Sequence, residues 1–246
     1  MAPPEGTASL PAGLYLVSTP IGNLGDITLR AIEILQAVDR VACEDTRVTG
    51  KLLAHLGISK PLVSYRDENE QRLAPSLAQA VADGERLALV SDAGTPLISD
   101  PGFRLVRTCR NLGAPVFSIP GATALISALS VSGLPSHAFS FLGFLPVKAG
   151  RRRSLLEIHL ELDQTTIFYE STHRILRLLE ELCQWLEPDR RVAVVRELTK
   201  KFETFKEGTA AEVLKYFQQS SVKGEFVVLI APSGFGPLSN QSSFND

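Results

Sequence analysis

Short apolar runs recur along the chain at 14–18 (LYLVS), 40–43 (RVAC), 61–65 (PLVSY), 87–91 (LALVS) and 115–119 (PVFSI). Each is brief and apolar on both faces, the pattern of strands covered on both sides in a parallel sheet. Between them the period lengthens to that of a helix. Ile27, Ala31, Ile34, Leu35 and Val38 fall on one stripe, with Asp26 placed to cap its start. Gly57, Gly84, Gly113 and Gly133 each follow a helical stretch, where a left-handed stop residue belongs. Strand and helix in alternation predict βαβ crossovers and a doubly wound, mostly parallel sheet.

The second half keeps alternating but changes texture. A longer aromatic run at 138–145 (AFSFLGFL) leads into Pro146-Val-Lys-Ala-Gly-Arg-Arg-Arg153. Further strands are predicted at 166–170, 191–196 and 225–231, with helices near 152–161, 173–186 and 209–218. Ser132-Gly-Leu-Pro-Ser136 interrupts everything periodic. The expected organisation is therefore two α/β domains, 14–132 and 133–232, between flexible ends at 1–13 and 233–246.

Polar chemistry gathers where the strands end, the edge at which α/β sheets bind ligands. Strand one runs into Ser18-Thr-Pro-Ile-Gly-Asn-Leu-Gly25, which reads equally as a plain turn or as a ligand loop, and is no dinucleotide fingerprint. Strand two runs into Cys43-Glu-Asp-Thr-Arg47; Asp45 suits a helix cap, leaving Glu44 and Arg47 as the functional candidates. Strand four runs into Ser91-Asp-Ala-Gly-Thr-Pro-Leu-Ile-Ser-Asp-Pro-Gly102, more small residues than a turn requires, with Pro101 placed to open the next helix. Strand five ends in Pro120-Gly-Ala-Thr-Ala124. Phe168-Tyr-Glu-Ser-Thr-His-Arg174 and Arg196-Glu-Leu-Thr-Lys-Lys-Phe-Glu203 repeat the pattern, although each also reads as a helix start or a solvated charge run.

Composition narrows the classes. With 246 residues, 44% hydrophobic and a net charge of −2, the chain is neither disordered nor collagen-like. Cys43, Cys109 and Cys183 fit no paired spacing and read as reduced, buried hydrophobes of a cytoplasmic protein. No uncharged run is long enough to cross a membrane, and the start lacks the features of a signal peptide. Four scattered histidines give neither a triad nor a metal site, and no triphosphate-binding loop is present. Near-neutral charge disfavours a nucleic-acid coat, so any RNA contact must come from local patches. Lys148, Arg151, Arg152 and Arg153 form one, with no acid among them.

Taken in order, TPIGNLGDITLRA, EDTR, SDAGTPLISDPG, PGATA, FYES-x-HR, RELTKKFE and KGEFVVLI resemble the tetrapyrrole-methylase superfamily, in its ribosomal-RNA 2′-O-methylating branch. The resemblance spans about residues 13–231, and Thr172 stands where that branch usually has proline. It implies a two-domain class III methyltransferase fold, a homodimer, S-adenosylmethionine as cofactor and a cytidine ribose of 16S rRNA in the small ribosomal subunit as substrate. By the same resemblance Pro20, Ile21, Asp92, Gly94, Thr95, Ala122 and Thr123 line the cofactor pocket, with Phe168 and Tyr169 contributed by the second domain.

A ribose hydroxyl is a poor nucleophile until its proton is removed or strongly hydrogen-bonded. Glu44, Asp45, Asp100, Glu170, Glu197 and Lys200 are the groups available. Asp100, Glu197 and Lys200 are expected nearest the acceptor, since they sit in the branch-specific motifs; Arg47 joins the basic patch on the RNA side. Two rival readings stand beside this one. A small-molecule methyltransferase of the tetrapyrrole type needs no basic rim, and a non-catalytic α/β ligand-binding module needs no methyl donor.

Overall fold

The computed structural model describes residues 10–236. The flexible ends expected at 1–13 and 233–246 fall largely on residues 1–9 and 237–246, outside the described residues. The chain divides into two units after Thr123, one helix earlier than the break the sequence marks at 132–136.

The first unit holds strands β1 (Gly13–Val17), β2 (Arg40–Cys43), β3 (Leu62–Ser64), β4 (Arg86–Val90) and β5 (Val116–Ile119), all parallel, in the order β3-β2-β4-β1-β5. Helices α1 (Leu29–Ala37) and α2 (Thr46–His55) cover one face, where Ala31, Leu35 and Leu53 pack on Tyr15, Val17, Val41, Ala88 and Val90. Helices α3 (Asp67–Ala82) and α4 (Phe103–Asn111) cover the other, where Leu77, Ala78, Leu105 and Cys109 pack on Leu14, Ala42, Leu87 and Leu89. Burial on both faces is the reason these strands read as continuous apolar runs. Adjacent strands β1 and β4 lead away in opposite directions along the sheet, β1 toward β2 and β4 toward β5. That is a topological switch point, the usual ligand site of such sheets.

The second unit opens with α5 (Ala124–Ser132) and contains β6 (Phe139–Phe144), α6 (Ala149–Leu160), β7 (Thr165–Ser171), α7 (Ile175–Trp185), β8 (Arg191–Arg196), β9 (Thr204–Thr209), α8 (Ala210–Gln218) and β10 (Glu225–Ile230). Its sheet, β6-β7-β10-β8-β9, is mixed: only β6 and β7 run parallel. Leu125, Ala128 and Leu129 of α5 pack under Ile167, Ala193, Val195 and Val227. Helices α6, α7 and α8 cover the opposite face through Leu156, Leu178, Leu182 and Val213.

Three local expectations need correction. Thr28, not Asp26, caps α1, accepting the Ala31 N–H at 3.1 Å, while Asp26 lies in a preceding 3-10 turn. Pro101 does not open α4, which starts at Phe103 behind Gly102. Cys43 and Cys109 are buried, but Cys183 is exposed on α7. Asp45 does cap α2, and the four glycines expected as helix stops have φ between 69 and 111°.

Candidate active site

Because β1, β2, β4 and β5 are parallel, their following loops share one edge of the sheet. Three of these loops are joined to each other. Thr19 and Gly94 exchange backbone hydrogen bonds at 2.9 and 3.1 Å, tying the loop after β1 to that after β4. Ser18 Oγ and Thr95 Oγ1 lie 2.9 Å apart, and Thr95 Oγ1 donates to the Ala122 carbonyl at 3.1 Å, adding the loop after β5. The closeness requires small residues. A Cβ on Gly121 would fall 2.8 Å from Ser18 Cβ. A Cβ on Gly94, at φ +84°, would meet Ile21 Cγ2 at 3.3 Å and the Ala122 carbonyl at 3.6 Å. The structure thus brings Ile21, Gly94, Thr95 and Ala122 together in one small-residue cradle, with Pro20 buried alongside in the β1 loop and Thr123 closing the β5 loop.

Carboxylates line the neighbouring part of the edge. Asp92 Oδ1 accepts the Asp45 N–H at 3.0 Å, linking the loop after β4 to that after β2. Burial raises the pKa of Asp100 to about 6, reinforced by the negative charges of Glu44, Asp92 and Asp67 and opposed by a hydrogen bond from Ser91. Glu44 is raised for the same reasons, desolvation first and then Asp92 and Asp67. Asp45 goes the other way, because Arg47 grips it with three contacts of 2.5–3.1 Å and donates its backbone N–H as well. Among the described residues no group of His, Cys, Asp and Glu is arranged to hold a metal.

Sequence reasoning missed Glu70. This buried carboxylate accepts the Gly102 and Arg104 N–H groups at 3.1 and 2.9 Å, at the start of α4, and the Tyr65 hydroxyl at 3.2 Å. It anchors the far end of the Ser91–Gly102 loop. Within that loop Leu97 and Ser99 hold left-handed backbones, φ +74° and +69°, which non-glycine residues rarely adopt.

In the second unit the expectations separate. The Phe168 ring is fully buried in the core beneath α6–α8; strand alternation turns Tyr169 to the opposite face, against Phe141 and Phe144. Glu170 is also buried, bound to Arg174 Nε at 2.7 Å, and Arg174 in turn donates to the Leu145 carbonyl. That pair fixes the loop after β7 and removes Glu170 from the proton-transfer candidates. Thr172 uses its hydroxyl to donate to the Val222 carbonyl, a tie that proline cannot make.

Glu197 and Lys200 do meet. Lys200 Nζ donates to Glu197 and to Glu225, each at 2.9 Å. Burial works against its charge, but the two carboxylates outweigh it and raise the pKa, so Lys200 is an ammonium donor and not a neutral base. Burial likewise opposes the Glu197 charge, and the hydrogen bonds from Lys200 and Glu225 overcome it, lowering the pKa. Glu197 itself sits at φ +53°, and a Cβ on Gly224 would collide with its carboxylate.

The basic patch is smaller than its sequence suggests. Arg152 is 3% exposed and spends every N–H on Glu181 and on the carbonyls of Pro146 and Val147, at 2.6–3.0 Å. It is a structural residue and leaves the RNA-facing set. Arg153 pairs with Glu157 at 2.7 Å, while Lys148 and Arg151 stay exposed.

A doubly wound sheet with a joined small-residue cradle at its switch point, followed by a second, mixed-sheet unit, is the architecture of class III methyltransferases. Solved structures agree on the fold. Uroporphyrin-III C-methyltransferase from Thermus thermophilus superposes with a TM-score of 0.60 over 89% of this chain and 94% of its own, at 22% identity. A diphthine synthase superposes at 0.69 over 89% of each chain, at 14% identity. The chain belongs to the tetrapyrrole (corrin/porphyrin) methylase family, whose model matches residues 13–214. Within the family it is similar to the ribosomal RNA small subunit methyltransferase I of Escherichia coli O157:H7, 51% identical over 88% of this chain and 77% of that one. The protein of the same name from Synechocystis is 50% identical over 89% and 78%.

Proposed function

We propose that this chain transfers the methyl group of S-adenosylmethionine to 16S rRNA of the small ribosomal subunit, at the 2′-oxygen of a cytidine ribose. The carrying observation is the half-identity, over nearly nine-tenths of the chain, to proteins named for methylating small-subunit RNA. The porphyrin enzyme, at 22% identity, supports only the fold, which leaves the small-molecule reading without comparable support. The cradle fits the cofactor: Gly94 and Gly121 leave backbone where a Cβ would intrude, and Ile21, Thr95, Ala122 and Thr123 hold the nucleoside and amino-acid parts, with Asp92 beside them.

When bound, S-adenosylmethionine supplies an electrophilic methyl group whose carbon–sulfur bond breaks as the new oxygen–carbon bond forms. The protein's tasks are alignment and proton removal. Asp100, with a pKa of about 6, is ionised at neutral pH yet basic enough to accept the 2′-hydroxyl proton. Glu197 and Lys200 form a fixed charged pair that orients the acceptor strand, Lys200 donating its third N–H. Lys148, Arg151, Arg153 and Arg47 contact phosphates at the rim. We further take the active form to be a cytoplasmic homodimer. Exposed Val131, Phe144, Val147 and Ile158 of the second unit supply apolar surface for a second copy.

The test uses small subunits from cells lacking this protein, incubated with the purified chain and labelled S-adenosylmethionine. Mass mapping should place one methyl on a cytidine ribose of 16S rRNA. Label on a base, on another RNA, or on none would reject the reading. Light scattering reports the dimer.

A further inference from the structure

Phe202 stands 64% exposed in the turn between β8 and β9, on a backbone fixed from several directions. Buried Arg196 donates to the Phe202 carbonyl at 2.9 Å and to the Lys223 carbonyl at 2.7 Å. Glu203 accepts the Thr199 N–H at 2.5 Å, and the Glu203 N–H donates to the Lys200 carbonyl at 3.1 Å. Glu197 and Thr199 hold left-handed backbones, φ +53° and +64°. One exposed ring requires no explanation. Here three share the hairpin and the helix behind it, for Phe205 is 43% exposed and Tyr216 37%. Lysines alternate with them: Lys201 Nζ lies 5.6 Å from the Phe202 ring centre and Lys206 Nζ 5.8 Å from that of Tyr216.

The charges around this turn do not cancel in place. Glu197 and Glu225 are occupied by Lys200 and Glu207 by Arg191, while Glu203 accepts the Thr199 N–H and keeps its charge. Among the described residues, Lys201, Lys206 and Lys223 have no ion-pair partner. Exposed rings beside unpaired lysines suit unpaired nucleotides, whose bases stack on aromatic faces while their phosphates take the ammonium groups. A protein partner would cover the rings without needing the charges.

We propose that the β8–β9 turn is a stacking platform for a single-stranded segment of the RNA substrate, with Phe202 taking one base and Lys201 and Lys223 the flanking phosphates. The inference rests on the ribosomal-RNA reading and adds to it where the strand is held. It also moves the main RNA contact from Lys148–Arg153, where buried Arg152 is consumed internally, to this turn.

Steady-state methylation of small subunits, with S-adenosylmethionine affinity measured by calorimetry, tests it on the full chain. Phe202→Ala should raise KM for the subunit roughly 5- to 100-fold, the range of one base–aromatic stack, with cofactor affinity and melting temperature unchanged. Phe202→Leu, which keeps the apolar bulk but not the π-face, should fail like alanine, and Phe202→Tyr should recover. Wild-type KM in Phe202→Ala or Phe202→Leu overturns the proposal, as does a change of oligomeric state in Phe202→Ala that accounts for its loss. If the wild-type chain methylates no small subunit, the functional reading has failed; an active wild type with an unaffected Phe202→Ala refutes the platform alone.

Discussion

Asp100, the base proposed above, would tie the activity to the stability of its loop through a single side chain. Burial among Glu44, Asp92 and Asp67 raises its pKa from the ordinary 3.8 to about 6. Between those values the folded protein keeps a proton that the unfolded chain has already lost. The stabilisation from this group is therefore complete below the lower value and is lost as the pH rises through 6. Asp100→Asn removes the dependence: its melting temperature should exceed that of the parent above pH 6, and the two should converge toward pH ~4. The same variant should lower methyl transfer about a hundredfold or more, the usual worth of a general base. In the parent, kcat/KM should climb with a midpoint near pH 6. An active Asn variant, or a flat profile, would reject Asp100 as the base. Lys200 was open to the same role in the sequence, because a neutral lysine is a base; only the two carboxylates found on it exclude that.

At the scale of elements, the central strands β1, β2 and β4 of the first unit were legible since they are buried on both faces, and the half-buried edge strands β3 and β5 were legible as short apolar runs. Strand β9 was not: as the edge of its sheet it carries Thr204, Lys206 and Glu207 among its residues and resembles a solvated charge run. The site was legible where chain neighbours make it, as in the Ser91–Gly102 loop, and illegible where distant residues do. Arg152 finds Glu181 across 29 positions, and Glu70 reaches Gly102 across 32. These pairings yield contrasting predictions for adjacent arginines. Arg152→Ala leaves a mostly buried Glu181 with only the exposed Arg177 as partner and should cost about 2–4 kcal/mol in urea unfolding. Arg151→Ala should leave stability within about 0.5 kcal/mol. Gly224→Ala, at φ +115° and against Glu197, should cost on the order of 1–3 kcal/mol in the same measurement. It should also slow methylation without changing cofactor affinity.

For the whole molecule, the net charge of −2 means that RNA is held at a few points and not by a general field. Plotted against log salt, log affinity for small subunits should fall with a slope of about −2 to −4, near −0.7 per single-strand phosphate contacted. A slope near −10 would require a basic surface that this chain does not have. Among the described residues, four non-glycine positions hold left-handed backbones, Leu97 and Ser99 in one unit and Glu197 and Thr199 in the other, and these also act globally. Each holds on the order of 1–3 kcal/mol of conformational energy in a loop assigned here to the reaction. Heat tolerance in this enzyme is therefore easiest to gain where turnover is easiest to lose. A lineage moving to hotter surroundings would reach for glycine at 97 and 99 last, and would draw its added stability from helices and strands far from both loops.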